Sequence, residues 1–452
     1  MTDSVRRAKP LLSGVAFSDK GKKFLVSLRA LVRDACLDIR FHEQLTLALV
    51  VFFSLLWAVK ILPDEQLADE GFHWTQIVTF LNGGEFSTYI TTIPGYHLLM
   101  TYLIKALSWM NVIPPESLPA ARCLNWLLSL PALVCFYLMV RKSGEGNSTA
   151  LSLQFFLSPI IFPFFFLVYT DMASVSLIML AALLIMGGRY HLAAAVAGVS
   201  ILFRQTNIMW LFLLWLLALH NSGFFDAFRN VIGTEKFKPG DCVRPLRKTF
   251  IFPVLCVLFA GFVIANEGVA VGDVESHTLG AVYPTQVFLL LCTMFFLFLP
   301  MHIKNAPAIW RLLKSQPLLP FIGAILYAVY IITFDATHDY NYHSFYLRNY
   351  FLEWLRESTL VRSLFFIPML WAFYNLLVTP LRKKSYYWLY PVVVLYMLPI
   401  GLIEPRYFIV PVVLFMLFRK PENDHLEYLS AAIYIPVSIF FVIGIAEENF
   451  FL

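Results

Sequence analysis

The chain reads as an all-α, polytopic integral membrane protein, and three observations predict it. Of its 452 residues, 59% are hydrophobic and only 14% are charged, with a mean hydropathy of +0.71. Soluble domains carry about 25% charged residues. The apolar runs are long rather than alternating, which predicts helices and excludes a β-barrel. The basic residues gather in short breaks between those runs, the pattern that orients membrane helices.

A helical span takes roughly 20 mostly apolar residues. The candidate spans are 45–62, 118–140, 149–168, 172–188, 190–204, 206–220, 250–266, 285–300, 317–335, 361–378, 385–402, 408–419 and 427–445. That makes about 13 transmembrane helices. Residues 1–44 form a basic cytosolic segment with no cleavable signal peptide, and 45–452 form a single transmembrane domain.

Charge sets the orientation. Arg6, Arg7, Lys9, Lys20, Lys22 and Lys23 precede the first span. Arg141-Lys142, the 221–249 loop, Lys304 to Lys314, Arg382-Lys383-Lys384 and Arg419-Lys420 punctuate the later ones. All belong on the cytosolic side. The alternate loops face the other side, and the first of them, 63–117, is the longest. Residues 94–112 are long enough to cross, but a crossing there would invert every later loop. They are therefore read as an interfacial amphipathic helix, a location that suits Lys105 and Trp109. The sequon Asn147-Ser148-Thr149 then falls in the cytosol and is expected to be unmodified. Six cysteines show no metal-type spacing, and no disulfide framework is expected.

The informative polar residues gather in the non-cytosolic loops. Asp69, Glu70 and His73 lie in the first loop, and Tyr169-Thr170-Asp171 at the next outer edge. Arg204-Gln205-Thr206-Asn207 interrupts an apolar hairpin. Gly272-Asp273 with Ser276-His277, the stretch His338 to Tyr346 including His343, and Glu404-Pro405-Arg406-Tyr407 follow. Each has a bland reading. Asp69-Glu70 suits the acidic start of a helix, Arg204 can snorkel, Glu404 and Arg406 can form a structural pair, and single histidines are usually structural. Ionisable residues near a bilayer are costly, and these share one side. No P-loop, dinucleotide fingerprint, metalloprotease helix or paired CxxC occurs, so no nucleotide, nucleic acid or metal is implied.

These segments resemble the dolichyl-phosphate-glucose-dependent α-1,2-glucosyltransferase family. The similar stretches are Asp69-Glu70-Gly71-Phe72-His73, Ile90-Thr91-Thr92-Ile93-Pro94-Gly95, Tyr169-Thr170-Asp171 and Phe203 to Ile208. Gly272-Asp273 with Ser276-His277, and Glu404 to Phe408, complete the ordered set. Asn341 stands where the family carries an arginine.

The resemblance implies a C-type (GT-C) membrane glycosyltransferase of the endoplasmic reticulum with a luminal active site. Dolichyl phosphate glucose is the implied donor. The acceptor is the 2-hydroxyl of the terminal glucose on a diglucosylated dolichyl-pyrophosphate oligosaccharide, in the last step of precursor assembly for N-glycosylation. No cofactor or metal is implied. The β-linked donor and α-linked product require inversion, with a carboxylate base. The resemblance puts that base at Asp69, with Glu70 as alternate and His73 to orient it. Arg406 and Arg204 are then expected on the donor phosphate, with His277 and His343 beside them. Asp171, Tyr169, Gln205, Asn207 and Glu404 are expected to bind the acceptor sugars. Three other readings stand beside this one. They are a sister α-1,3-glucosyl- or mannosyltransferase, a lipid or sugar transporter using the same outer vestibule, and a scaffold. Oligomeric state is not legible.

Overall fold

The computed structural model describes residues 39–233, 239–272 and 281–452. The chain divides into two units, Met1–Phe52 and Phe53–Leu452. The described part of the first is helical from Ile39 onward.

The regular structure of the described residues is all helical, with no named strand and two isolated bridges, Tyr346 to Phe451 and Leu381 to Arg419. Among the described residues, four helices are long and apolar enough to cross a membrane: Phe41–Ile61, Leu118–Ser143, Thr359–Val378 and Asp424–Ala446. Two bent pairs, Cys242–Thr249 with Ile251–Ala265 and Pro284–Leu297 with Leu299–Ser315, raise that to six if each is one span. Several expected spans return as shorter apolar helices, among them Thr170–Met186, Tyr190–Ile201 and Leu318–Thr333.

Helix Leu118–Ser143 shows why the sequence starts and stops where it does. The Ser117 hydroxyl accepts from the Ala120 N–H, Pro119 sits in the first turn, and Gly144 ends the helix at φ 70°. Pro131 lies inside it and cannot donate to the helix ladder. The Ser176 hydroxyl compensates. It donates to the Leu128 carbonyl at 2.8 Å and accepts from the Ala132 N–H at 3.1 Å. That repair locks Leu118–Ser143 onto Thr170–Met186, the most extensive helix pairing in the molecule.

Two expected spans are not single helices. Residues 149–168 break after Ser148–Leu157, pass through a 3-10 turn at Phe162–Phe165, and stay buried throughout. Pro159 and Pro163 prevent a continuous ladder. Carbonyls of the irregular stretch are collected by one side chain, the Asn125 amide, which donates to Phe164, Phe165 and Leu167 at 3.3, 3.5 and 2.7 Å. Residues 385–402 hold the 3-10 turn Lys384–Trp388 and the nine-residue helix Leu389–Met397, with Pro391 in its first turn and Pro399 just past its end. The carbonyls of Ile400 and Leu402 beyond it accept from the Gln286 amide.

Residues 94–112 form the 15-residue helix Gly95–Trp109, about 22 Å long and short of a bilayer. Its Tyr96, Met100 and Ile104 pack with Trp74 and Ile77 of helix Glu70–Leu81 and with Leu118 and Ala121. Tyr102 and Trp109 are exposed on the other face. The first long loop is thus a packed two-helix layer over the start of Leu118–Ser143.

Candidate active site

The first loop is tied down by Glu70. Arg122, an ionisable residue near the start of an apolar helix, grips it with two nitrogens at 3.0 and 2.6 Å. Both carboxylate oxygens have a further donor. The Val168 N–H reaches Oε1 at 2.8 Å and the Leu67 N–H reaches Oε2 at 3.2 Å. Arg122 spends its remaining N–H groups on the carbonyls of Pro63 and Glu65. Glu70 is fully buried. It straps the 63–70 loop to the helix end, with both oxygens already taken by donors.

The backbone then turns its neighbour the other way. Ala68 lies at φ 52°, a left-handed conformation that costs a non-glycine residue about 1–2 kcal/mol. Asp69 follows, and its side chain is 27% exposed. Its Oδ2 accepts from Arg406 Nη2 at 2.7 Å, and its Oδ1 from the Tyr346 hydroxyl at 3.2 Å.

Arg406 sits in the 3-10 turn Pro405–Phe408. Its Nε donates to Glu404 at 2.9 Å, and its guanidinium lies 5.3 Å from the centre of the Tyr169 ring. Burial works against the Arg406 charge, but Glu404 and Asp69 outweigh it and hold the guanidinium well above its ordinary value. Burial likewise opposes the Glu404 charge, yet Arg406 and Arg348 hold that carboxyl below its usual range. Arg348 donates to the other Glu404 oxygen at 3.0 Å and stacks 4.0 Å from the centre of the Tyr346 ring. Burial, followed by the Asp69 charge, raises the Tyr346 hydroxyl above the usual phenol range, so it stays a proton donor to Asp69.

A second pair lies alongside. Arg204 donates to Asp171 Oδ1, while Asp171 Oδ2 is buried without a protein partner. A cavity of about 150 Å³ opens beside it, lined by Thr91, Thr92, Gln205, Tyr283, His338 and Tyr407 among others. The motif segments around this cavity are held together through the backbone. The Gln205 amide donates to the Thr91 carbonyl at 2.9 Å, and the Val271 N–H donates to the same atom at 3.1 Å. Gly95 lets helix Gly95–Trp109 begin against Leu202, where a Cβ would stand 2.7 Å from the Leu202 carbonyl oxygen.

The structure therefore gathers Asp69, Glu404, Arg406, Asp171 and Arg204 with Tyr169. The cluster holds three carboxylates and three guanidiniums once Arg348 is included. Other expected site residues stand elsewhere. His73 bonds His97, with 3.0 Å between Nδ1 and Nε2, and its backbone N–H, not its ring, reaches Asp69, donating to the carbonyl at 3.3 Å. Burial, then His97, lowers His73 well below the usual imidazole range, and burial lowers His97 to about 4. Both rings are thus neutral. Asn207 is spent on Ser174 and the Ser200 carbonyl and is buried. Tyr169, within the cluster, is fully buried beneath Arg406. His343 is exposed, edge-on to Tyr346. His277 lies outside the described residues. Arg122, Arg348 and Tyr346 had no place in the sequence reading as site residues. Arg122 carried a usable signal, a lone cation inside a candidate span. Asn341, at the expected arginine, fixes the loop ahead of Glu404 by accepting from the Ile403 N–H at 3.1 Å.

A helical membrane protein with a carboxylate–arginine cluster where its helices end is the class that fold and site define. The comparisons are more specific. The model of the DIE2/ALG10 family matches residues 63–417, and the chain belongs to that family. A human relative named Dol-P-Glc:Glc(2)Man(9)GlcNAc(2)-PP-Dol alpha-1,2-glucosyltransferase is 26% identical over 83% of this chain and 89% of its own length. Relatives of the same name from Mus musculus and Debaryomyces hansenii are each 25% identical, covering 83% and 85% of this chain and 89% and 90% of theirs. No solved structure matches.

Proposed function

We propose that this chain is an inverting glucosyltransferase that moves glucose from dolichyl phosphate glucose to the 2-hydroxyl of the terminal glucose on a diglucosylated lipid-linked oligosaccharide. The family and the named relatives support the reaction and its two substrates. We further propose a C-type architecture of about 13 spans, the shorter apolar helices supplying those beyond the long ones. In that reading residues 1–44 are cytosolic, 45–452 are the catalytic domain, and the cluster faces the lumen of the endoplasmic reticulum.

One observation supports Asp69 as the base: it is the open carboxylate of the cluster. Its side chain is 27% exposed, against 3% for Asp171 and 4% for Glu404. Glu70, its neighbour, is saturated by Arg122 and two backbone N–H groups. In the displacement, the acceptor 2-oxygen forms a bond to C1 of the donor glucose. The C1–O bond to phosphate breaks, and its electron pair leaves on dolichyl phosphate. The acceptor proton passes to Asp69. Arg406 offers the leaving phosphate a buried guanidinium. It can turn from Asp69 toward the phosphate while Glu404 keeps hold of its Nε. That exchange frees the base as the donor arrives. As written, the displacement uses neither metal nor cofactor.

The test supplies purified protein with the diglucosylated acceptor and either dolichyl phosphate glucose or dolichyl phosphate mannose. Addition of one α-1,2-linked glucose from the first donor alone, unchanged by a chelator, is expected. Transfer from the mannosyl donor, or passage of lipid without covalent change, overturns the reading.

A further inference from the structure

A second cavity lies at the far end of the same helices. It holds about 490 Å³ and is lined by Lys142, Glu145, Tyr190, Arg382, Lys383 and Tyr386 among others. Lys142 and Arg122, the grip on Glu70, stand on one helix, separated by about 30 Å of its axis. The cavity is therefore distinct from the catalytic cluster.

Its wall carries three cations against one carboxylate. Arg382 is the built part of it, with a side chain only 4% exposed. Its Nε donates to the Arg419 carbonyl at 3.0 Å, and its Nη1 to the Ser143 hydroxyl. Its Nη2 is buried without an acceptor in the protein. An unfilled buried donor on a charged group is costly, so its presence calls for a ligand. Glu145 does not fill that role. It stands 4.0 Å from Nε, and its side chain is 44% exposed. Burial pulls the Arg382 guanidinium below its ordinary value, a penalty that an anion in the cavity relieves. Lys142 and Lys383 are both exposed at the rim, Lys142 donating to the Met186 carbonyl at 3.2 Å and Lys383 lying over the Tyr386 ring.

The unfilled Nη2 of the Arg382 fork, with two ammonium groups on the same cavity, suits phosphate oxygens. The position adds the rest. The cavity opens where the span Leu118–Ser143 ends, flanked by Tyr190 and Tyr386, which is headgroup depth for a bilayer. Basic pockets between span ends select acidic headgroups. We propose that this cavity binds the phosphate headgroup of an acidic phospholipid, on the face opposite the catalytic cluster.

Native mass spectrometry of the full chain tests it, with phosphatidic acid, phosphatidylinositol or phosphatidylcholine added in detergent. The wild type is expected to retain the two acidic lipids at least tenfold more strongly than phosphatidylcholine. The double variant Lys142→Ala, Lys383→Ala is expected to lose that preference. Both lysines are exposed and stand away from the catalytic cluster, so unchanged glucosyl transfer by the variant certifies its fold. A second variant, Arg382→Lys, keeps the charge but loses the fork and is expected to weaken retention on its own. Equal retention of phosphatidylcholine, or full retention by the double variant, overturns the proposal. Inorganic phosphate that binds alone and displaces the lipid at equal concentration overturns the lipid assignment in favour of a soluble phosphate.

Discussion

Two buried arginine–carboxylate clusters flank the short helix Ile409–Phe418, and they are finished differently. Beyond its end, Arg419 meets Glu427 through two parallel bonds of 2.7 Å. Gln154 and the Glu422 N–H complete the carboxylate, and both charged side chains are 2% exposed. Before its start, Arg406 is divided between Glu404 and Asp69, and Asp69 keeps an open face. A carboxylate satisfied on both oxygens and shut from solvent has nothing left to give a substrate. A shared arginine and an open carboxylate have unspent capacity. The same contrast recurs between neighbours in the sequence, since Glu70 is closed and Asp69 is open.

The comparison breaks if the closed sites prove catalytic or the open one structural. The largest expected effect is on rate. Replacing a positioned base costs 10²- to 10⁴-fold, so Asp69→Asn should lose about that much turnover while melting within a few degrees of wild type. Removing one member of a closed pair acts on the fold instead. Glu427→Ala leaves Arg419 buried and uncompensated, and Glu70→Ala does the same to Arg122. Each should cost about 3–5 kcal/mol of stability, read as a lower melting temperature and lower yield. Near-normal melting by either variant would remove the distinction.

A smaller effect is set by pH. Burial holds His97 at about 4, below the usual 6.5, and also depresses His73. As pH falls through 6.5 the unfolded chain takes up these protons and the folded chain does not. Stability is therefore full above pH 6.5 and declines toward pH 4, by on the order of 3 kcal/mol for His97 alone. His97→Gln should flatten that part of a melting-temperature profile. An unchanged slope would detach the histidine pair from the acid response. The smallest effect concerns the turn that separates Asp69 from Glu70. Ala68→Gly relieves the left-handed strain and should stabilise by about 0.5–1 kcal/mol, measured by thermal melting, with transfer unaffected.

Much of this was legible in the sequence because composition and periodicity are local. The helices Leu118–Ser143, Thr170–Met186, Ile251–Ala265, Thr359–Val378 and Asp424–Ala446 begin and end within a few residues of the expected spans. The failures at 149–168 and 385–402 share a cause. Hydropathy does not register that prolines interrupt the ladder there, or that Asn125 and Gln286, distant in the chain, take up carbonyls left outside a helix. The site divides the same way. Asp69 and Arg406 were visible as motif residues, but their pairing spans most of the chain, and Arg348 and Tyr346 join only through folding. The Arg122 grip explains why two adjacent acids, alike in sequence, differ so completely in access.

The most direct test compares initial rates of glucose transfer by wild type, Asp69→Asn and Glu70→Gln, each matched for the amount of folded protein. The account predicts a 10²- to 10⁴-fold loss for Asp69→Asn. The folded fraction of Glu70→Gln should keep a rate within about tenfold of wild type, its defect lying in yield and melting. Near-normal turnover by folded Asp69→Asn would contradict the assignment of the base and the contrast between open and closed clusters.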